Sequence, residues 1–99
     1  MDAAQIGISA AKVDGAARKY IQKHGYAENF GHATGHGVGL QIHELPLISV
    51  SSQAVLAEGM AFTIEPGIYV EGLGGVRIED TCVAGIGSLF TFPKSLIVL

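Results

Sequence analysis

The stretch Gly31–Glu44, which reads GHATGHGVGLQIHE, holds three of the four histidines of this chain in a run rich in glycine. Glycine is a poor helix former, so the spacing of His32 and His36 does not indicate one face of a helix. We expect a strand, a loop and a second strand here, which present His32, His36 and His43 from a tight backbone. The run therefore separates a helical first part of the chain from a sheet-forming remainder.

The residues before this run predict a single helix from about Ala10 to His24. Ser9 is a suitable N-cap, because its hydroxyl can accept a hydrogen bond from the first turn. Gly25 suits the position after the C-cap. One face of the helix carries the apolar spacing of a buried stripe, formed by Val13, Ala16, Ala17, Tyr20 and Ile21.

The residues after the run predict antiparallel strands joined by glycine-rich turns. Alternation from Met60 to Glu65 indicates a half-buried strand, and a turn over Glu71–Gly75 leads into a second strand over Val76–Val83. A short last strand is expected over Leu89–Phe92, and a surface loop over Leu45–Ala57. The predicted fold class is α+β, with one N-terminal helix followed by an antiparallel, hairpin-rich sheet.

The composition restricts the partners and the compartment. A length of 99 residues allows one domain at most, and 48% hydrophobic residues suggest a face that meets a partner. A net charge of −3 argues against nucleic acid, and no apolar run is long enough for a membrane span. No signal peptide is apparent. The single cysteine, Cys82, favours a reducing cytoplasm, so we expect one partial cytoplasmic domain over residues 1–99.

Two acidic motifs, Phe62–Gly67 (FTIEPG) and Gly75–Asp80 (GVRIED), give the histidine run its chemical meaning. A hairpin between them would bring Glu65 and Glu79 to opposed positions, about 5 Å apart at Cβ. Carboxylates this close repel each other unless a proton or a cation lies between them. Imidazole with paired carboxylates suits divalent Mn, Co or Zn. His36, Glu65 and Glu79 are therefore the candidate metal ligands.

Each of these residues also has an ordinary structural interpretation. Glu65 or Glu79 alone would more often be a solvated surface group. His24 would close the end of the helix, and Arg77 would neutralise Glu79 across the strand face. Cys82 is expected to be a small buried hydrophobe. The glycine-rich run lacks the Lys-Ser/Thr pair of a phosphate-binding loop.

The number of donors limits what the candidate ligands can do. Three side chains offer fewer donor atoms than two ions with open coordination positions need. Asp2 and Asp14 are candidates for the shortfall, and neither is assigned. Asp80 points away from Glu79 along the predicted strand, so we expect a structural or supporting role for it.

The motifs taken in this order resemble the pita-bread metallopeptidases, peptidase family M24, the group of methionine aminopeptidase, aminopeptidase P and prolidase. The resemblance covers nearly the whole chain, in Val13–Arg18 (VDGAAR), Gly59–Tyr69 (GMAFTIEPGIY), Gly75–Thr81 (GVRIEDT) and Leu89–Lys94 (LFTFPK). The Val-Arg-Ile-Glu-Asp form is typical of the proline-specific members. The resemblance thus implies an Xaa-Pro aminopeptidase or Xaa-Pro dipeptidase, acting on peptides with proline in second position.

The resemblance also implies roles for individual residues. The implied metal ligands are His36, Glu65 and Glu79, the implied catalytic residues are His32, His43 and Glu65, and Tyr69 and Arg77 would lie beside the metal and substrate. Glu65 would carry a proton, and His43 would steady the charge that develops on the scissile carbonyl oxygen.

Two aspartate ligands that the family carries upstream of its histidine motif are absent from this sequence. We therefore expect the C-terminal half of a catalytic domain, inactive alone, whose partner is the missing N-terminal half. The complete enzyme would hold two divalent ions, and this chain at most one, weakly. An uncovered sheet edge predicts a homodimer. The alternatives are a non-catalytic module that binds peptides or proteins and a structural fragment that self-associates.

Overall fold

The computed structural model of this protein describes residues 4–96 and 98. Within them the elements are α1 (Ala10–Lys23), a 3₁₀ turn (Ala27–Asn29), β1 (Gly35–Gly37), β2 (Glu44–Ile48), β3 (Ala61–Ile64), β4 (Gly67–Val70), β5 (Gly74–Arg77), β6 (Asp80–Val83) and β7 (Gly87–Ser88). No helix in this part of the chain has the length and apolar character that crossing a bilayer requires.

The strands form two antiparallel sheets. The main sheet has five strands in the order β2-β1-β3-β6-β7, and β4 pairs with β5 as a separate hairpin. β3 pairs with β6 along its whole length, from Ala61 opposite Val83 to Ile64 opposite Asp80. The predicted α+β class, one helix followed by an antiparallel hairpin-rich sheet, is confirmed.

The helix begins and ends as its sequence predicts. The Ser9 hydroxyl accepts a hydrogen bond from the backbone N–H of Lys12 at 3.2 Å. His24 is the C-cap, and Gly25 follows with φ of +87°, a conformation that favours glycine. The Nδ1 atom of His24 lies 2.9 Å from the carbonyl oxygen of Tyr20, which confirms His24 as the residue that closes the helix.

The apolar face of the helix is buried only in part. Val13 and Ile21 are buried, whereas Tyr20 is 67% exposed and Ala16 is exposed as well. The reason is that the β4–β5 hairpin lies beside this face without closing over it. An open groove remains between α1 and the hairpin, and its apolar lining includes Tyr20, Ile68, Val76 and Ile78. The prediction of one fully buried stripe was wrong at these positions.

Three sequence predictions for the strands need correction. The expected loop over Leu45–Ala57 includes residues 45–48 of β2. Pro46, which has no N–H, is tolerated there because β2 is an edge strand. The expected strand over Val76–Val83 is two strands in different sheets, β5 and β6. The last strand is β7, and residues 89–92 do not form one.

One hydrophobic core lies between α1 and the main sheet. Its buried members are Ala10, Val13, Ile48, Leu56, Phe62, Cys82 and Ala84. Burial raises the pKa of the Cys82 thiol above its ordinary value, with the nearby charge of Asp80 as a lesser cause. Cys82 is therefore the small buried hydrophobe that the sequence predicts.

Candidate metal centre

His36 lies in the middle of β1, and the glycines on either side of it explain how it is held. A Cβ atom on Gly35 would overlap the backbone carbonyl of Thr63 in β3. A Cβ atom on Gly37 would overlap the backbone carbonyl of Leu45 in β2. β1 can lie this close to both neighbours only without side chains at these positions, and the N–H of His36 then donates to Thr63 Oγ1 at 3.1 Å.

The imidazole of His36 is oriented so that its second nitrogen faces a carboxylate. Its Nδ1 lies 2.9 Å from the carbonyl oxygen of Gly37, which can only accept, so Nδ1 carries the hydrogen. Its Nε2 lies 3.4 Å from Glu65 Oε2. A neutral imidazole would place two acceptors face to face here. A proton or a cation between them removes the conflict, and a backbone acceptor on the far nitrogen is typical of metal-binding histidines.

Glu65 and Glu79 face each other, as the sequence predicts. They follow and precede the last pair of the β3–β6 ladder, in which Ile64 lies opposite Asp80. The pKa of Glu79 is raised above its ordinary value, first by desolvation and then by the charge of Glu65 and a hydrogen bond with it. Arg77 and His36 partly offset this rise. Excess negative charge at this point is what a bound cation would neutralise.

The three candidate ligands form a row and do not converge on a single point. Glu65 lies between His36 and Glu79, and each neighbouring pair is in contact. Among the described residues, no group of three His, Cys, Asp or Glu side chains is gathered closely enough to hold a metal ion. The donor types fit a divalent cation, because an imidazole lone pair and two repelling carboxylates share one small region.

His43 and Arg77 lie beside candidate ligands, His43 next to His36 and Arg77 near Glu79. The ring of His43 is exposed, and its centroid lies 4.2 Å from that of His36, with 51° between the planes. Both residues line an open cavity of about 750 Å³, together with His32, His36 and Glu65. The cavity is large enough for a short peptide, since ligand pockets span roughly 300–1,000 Å³.

His32 lines the same cavity, and its ring contacts that of Tyr69. The Nδ1 atom of His32 lies 2.7 Å from the carbonyl oxygen of Ala33, so this nitrogen donates. Its Nε2 then accepts a hydrogen bond from the Tyr69 hydroxyl at 2.8 Å. The Tyr69 ring lies close against Gly67 and Gly75, where any Cβ would meet its atoms. The two glycines therefore give Tyr69 the room that it needs to reach His32.

The aspartates do not join the row of candidate ligands. Asp14 is wholly buried, and its carboxylate accepts hydrogen bonds from Arg18 and Thr34. Asp80 is buried, with Lys94 Nζ 2.9 Å from its Oδ1. Asp2 lies outside the described residues. The contacts of Arg18 were not predicted, although Asp14 and Arg18 have the four-residue spacing that brings side chains together on a helix.

The raised pKa of Glu79 predicts how the stability of the metal-free protein depends on pH. Above the ordinary value of 4.5, the native state keeps a proton that the unfolded state releases. The associated stability is fully present below that value, and it is lost as pH rises through the native pKa. We expect Glu79→Gln to flatten this decline and to stabilise the metal-free chain at neutral pH.

Urea unfolding with a chelator present, between about pH 4 and pH 8, measures this effect. Glu71→Gln is the matched control, because Glu71 is exposed in the turn between β4 and β5. The control should keep the wild-type pH dependence. Identical profiles for Glu79→Gln and the wild type would contradict the prediction.

Comparison with known proteins places this geometry in a family. Residues 1–85 match the model of metallopeptidase family M24. The chain is 56% identical over 81 residues to an Xaa-Pro dipeptidase of Pyrococcus furiosus, covering 82% of this chain and 23% of that protein. The chain thus spans only about a quarter of the length of the relatives that it resembles.

Solved structures give the same assignment. A dipeptidase of Pyrococcus horikoshii superposes with a TM-score of 0.94 at 52% identity, over 98% of this chain and 28% of that one. An X-Pro aminopeptidase of Thermotoga maritima gives 0.93 at 44% identity, over 99% of this chain and 29% of that one. The fold corresponds to the C-terminal half of the pita-bread fold. The chain belongs to metallopeptidase family M24.

Proposed function

We propose that the chain forms the C-terminal part of a catalytic domain that hydrolyses the Xaa-Pro peptide bond, as an Xaa-Pro dipeptidase or aminopeptidase. The observation that carries the proposal is the row of His36, Glu65 and Glu79, of which His36 and Glu65 line an open cavity. The names of the similar proteins give the substrate class. Since the chain spans about a quarter of their length, the activity is proposed for the complete domain.

Metal binding in this proposal uses the row of ligands. His36 would bind through Nε2, and Glu65 and Glu79 through their carboxylates. A divalent ion bound there supplies Lewis-acid chemistry, lowering the pKa of a water molecule and polarising the scissile carbonyl. Mn, Co and Zn all suit these donors. In the complete enzyme we propose two ions, whose remaining ligands come from the N-terminal half.

Residues of this chain would then transfer the proton and contact the substrate. Glu65 accepts a proton from the attacking water and passes it to the nitrogen of the departing proline, as the carbon–oxygen bond forms and the carbon–nitrogen bond breaks. His43, exposed beside His36, donates a hydrogen bond to the carbonyl oxygen as negative charge develops. His32, which is hydrogen-bonded to Tyr69, contacts the substrate, and Arg77 balances the charge at Glu79.

The alternative of a non-catalytic binding module is less well supported. A module that has lost its chemistry has no need to keep ligand side chains in contact with one another. Here His36 and Glu65 are in contact, and so are Glu65 and Glu79.

We also propose a reducing cytoplasm as the compartment, because the single cysteine is a buried core residue.

Titration of the 99-residue chain with Mn²⁺ tests the proposed metal site. We expect at most one site, with a Kd weaker than about 0.1 mM, because three ligand side chains leave the coordination incomplete. Calorimetry should detect this binding in the wild type and in the Glu71→Ala control, and not in Glu79→Ala. The chain alone should not hydrolyse Xaa-Pro peptides. Two tight sites, or hydrolysis that His36→Ala abolishes, would contradict these expectations.

The exposed apolar surface predicts self-association of this chain. Tyr20 and Val76 are 67% and 66% exposed along the groove beside α1, and β2 and β7 are the edges of the main sheet. Apolar patches and open strand edges favour pairing with a second chain. We expect a homodimer at micromolar concentration, measured by light scattering. A monodisperse, folded monomer would rule this out.

A further inference from the structure

A buried carboxylate on α1 is not used by the proposed chemistry. Asp14 has no exposed surface, and both of its oxygens accept hydrogen bonds. Arg18 donates to it twice, from Nε at 2.7 Å and from Nη2 at 3.1 Å. Thr34 also donates twice, from Oγ1 at 2.9 Å and from its backbone N–H at 3.3 Å. Burying a carboxylate costs free energy. The contacts that this carboxylate makes should therefore have a role that offsets the cost.

The remaining donors of Arg18 bind the backbone just before the candidate metal ligands. Nη1 donates to the carbonyl of Phe30 at 3.1 Å, and Nη2 donates to the carbonyl of His32 at 2.7 Å. The guanidinium carbon lies 4.4 Å from the centre of the Phe30 ring. Together with the bonds from Thr34, these contacts fix residues 30–34 to one turn of the helix. A planar guanidinium can bridge the carboxylate and two carbonyls in this way, whereas an ammonium group cannot.

The fixed segment reaches the site at two places. His32 presents its Nε2 to the Tyr69 hydroxyl at 2.8 Å. The carbonyl of Thr34 accepts a hydrogen bond from the backbone N–H of Glu65 at 2.6 Å. The pair on α1 is thus connected to a proposed catalytic histidine and to the backbone of a proposed metal ligand. Neither Asp14 nor Arg18 lines the cavity itself.

We propose that Asp14 and Arg18 are positioning residues, which set the orientation of His32 and the place of Glu65 through the backbone of residues 30–34. The inference rests on the proposed function for the roles of His32 and Glu65. A merely structural ion pair would affect the stability of the fold and leave the folded site unchanged. The positioning role predicts a change in the site of molecules that remain folded.

Arg18→Lys is the decisive variant, because lysine keeps a positive charge against Asp14 and loses the guanidinium bridge. Arg18→Met removes the charge as well. Lys19→Met is the matched control, since Lys19 is exposed on the same helix. The ring-nitrogen NMR signals of His32 report its hydrogen bonds and tautomer, and those of His24, which lies at the far end of the helix, serve as the internal reference.

We expect both Arg18 variants to move the His32 ring signals and the Glu65 amide signal, with His24 unchanged. The Kd for Mn²⁺ alone should weaken by about tenfold, as for loss of groups that orient metal ligands. Lys19→Met should match the wild type in every signal. If Arg18→Met does not fold, Arg18→Lys decides the question.

Unchanged His32 and Glu65 signals in folded Arg18→Lys would overturn the proposal, even if the variant were less stable. The NMR result does not depend on metal binding or on hydrolysis. Displaced signals in the Arg18 variants, together with no detectable Mn²⁺ binding by the wild type, would therefore support the positioning role and contradict the proposed metal site. Unchanged signals in the Arg18 variants, together with Mn²⁺ binding by the wild type, would contradict the positioning role and support the proposed metal site.

Discussion

Glu65→Gln will lower kcat/KM for Xaa-Pro peptides by at least about a thousandfold in the active form of the protein, since proton transfer alone contributes about 10²–10⁴. Glu65 lies between His36 and Glu79, so the substitution removes a charged ligand and the proposed proton carrier together. The amide of glutamine keeps the shape and leaves the backbone bond from Glu65 to Thr34 intact. Steady-state hydrolysis with saturating Mn²⁺ measures the effect.

Two comparisons separate loss of chemistry from loss of folding. Glu71→Gln changes an exposed glutamate in the hairpin turn and should leave kcat/KM within about twofold of the wild type, as is usual for surface substitutions. Asp80→Ala should lower the folded fraction, because it removes a buried side chain of β6 together with its ion pair to Lys94, while activity per folded molecule is kept. An active Glu65→Gln enzyme would remove Glu65 from the mechanism.

Gly35→Ala will destabilise the fold by about 3 kcal/mol, near the upper end of the range for overpacking. The added methyl group would overlap the backbone carbonyl of Thr63, which cannot rotate away as a flexible side chain can. β1 would have to move away from β3, and the bond from the His36 N–H to Thr63 would be lost with it. Urea unfolding of the metal-free chain measures the change.

The same substitution elsewhere in the chain should have the opposite sign. Gly15 lies inside α1, and a Cβ atom there would meet no neighbouring atom within 4 Å. Gly15→Ala should stabilise the protein by up to about 1 kcal/mol, since alanine favours the helix over the unfolded chain. Equal stability changes at the two positions would show that the close approach of β1 and β3 is not a real constraint.

The sequence was informative where neighbouring residues determine the structure. The cap at Ser9 and the turn at Gly25 depend on local chemistry, and both were predicted correctly. The facing positions of Glu65 and Glu79 followed from strand alternation and a turn between them, and the β3–β6 register confirms them. The assignment of these two residues as metal ligands stays a proposal.

The sequence was uninformative where the partner of a segment decides its structure. Residues 76–83 alternate without interruption, and nothing in that pattern marks the change of partner from β4 to β3 near Ile78. Likewise, the helical position of Asp14 does not reveal that Thr34, twenty residues later, binds it. The partly open face of α1 was missed for the same reason, because its apolar spacing does not say what covers it.

The separate β4–β5 hairpin has a consequence for variation among related proteins. Glu65 precedes it and Glu79 follows it, while the pairing of β3 with β6 fixes the distance between these two residues. The tip at Glu71–Leu73 is exposed, and doubling the length of such a loop costs only about 0.6 kcal/mol. Insertions at the tip can therefore lengthen the hairpin among relatives, while the two carboxylates at its base stay in register.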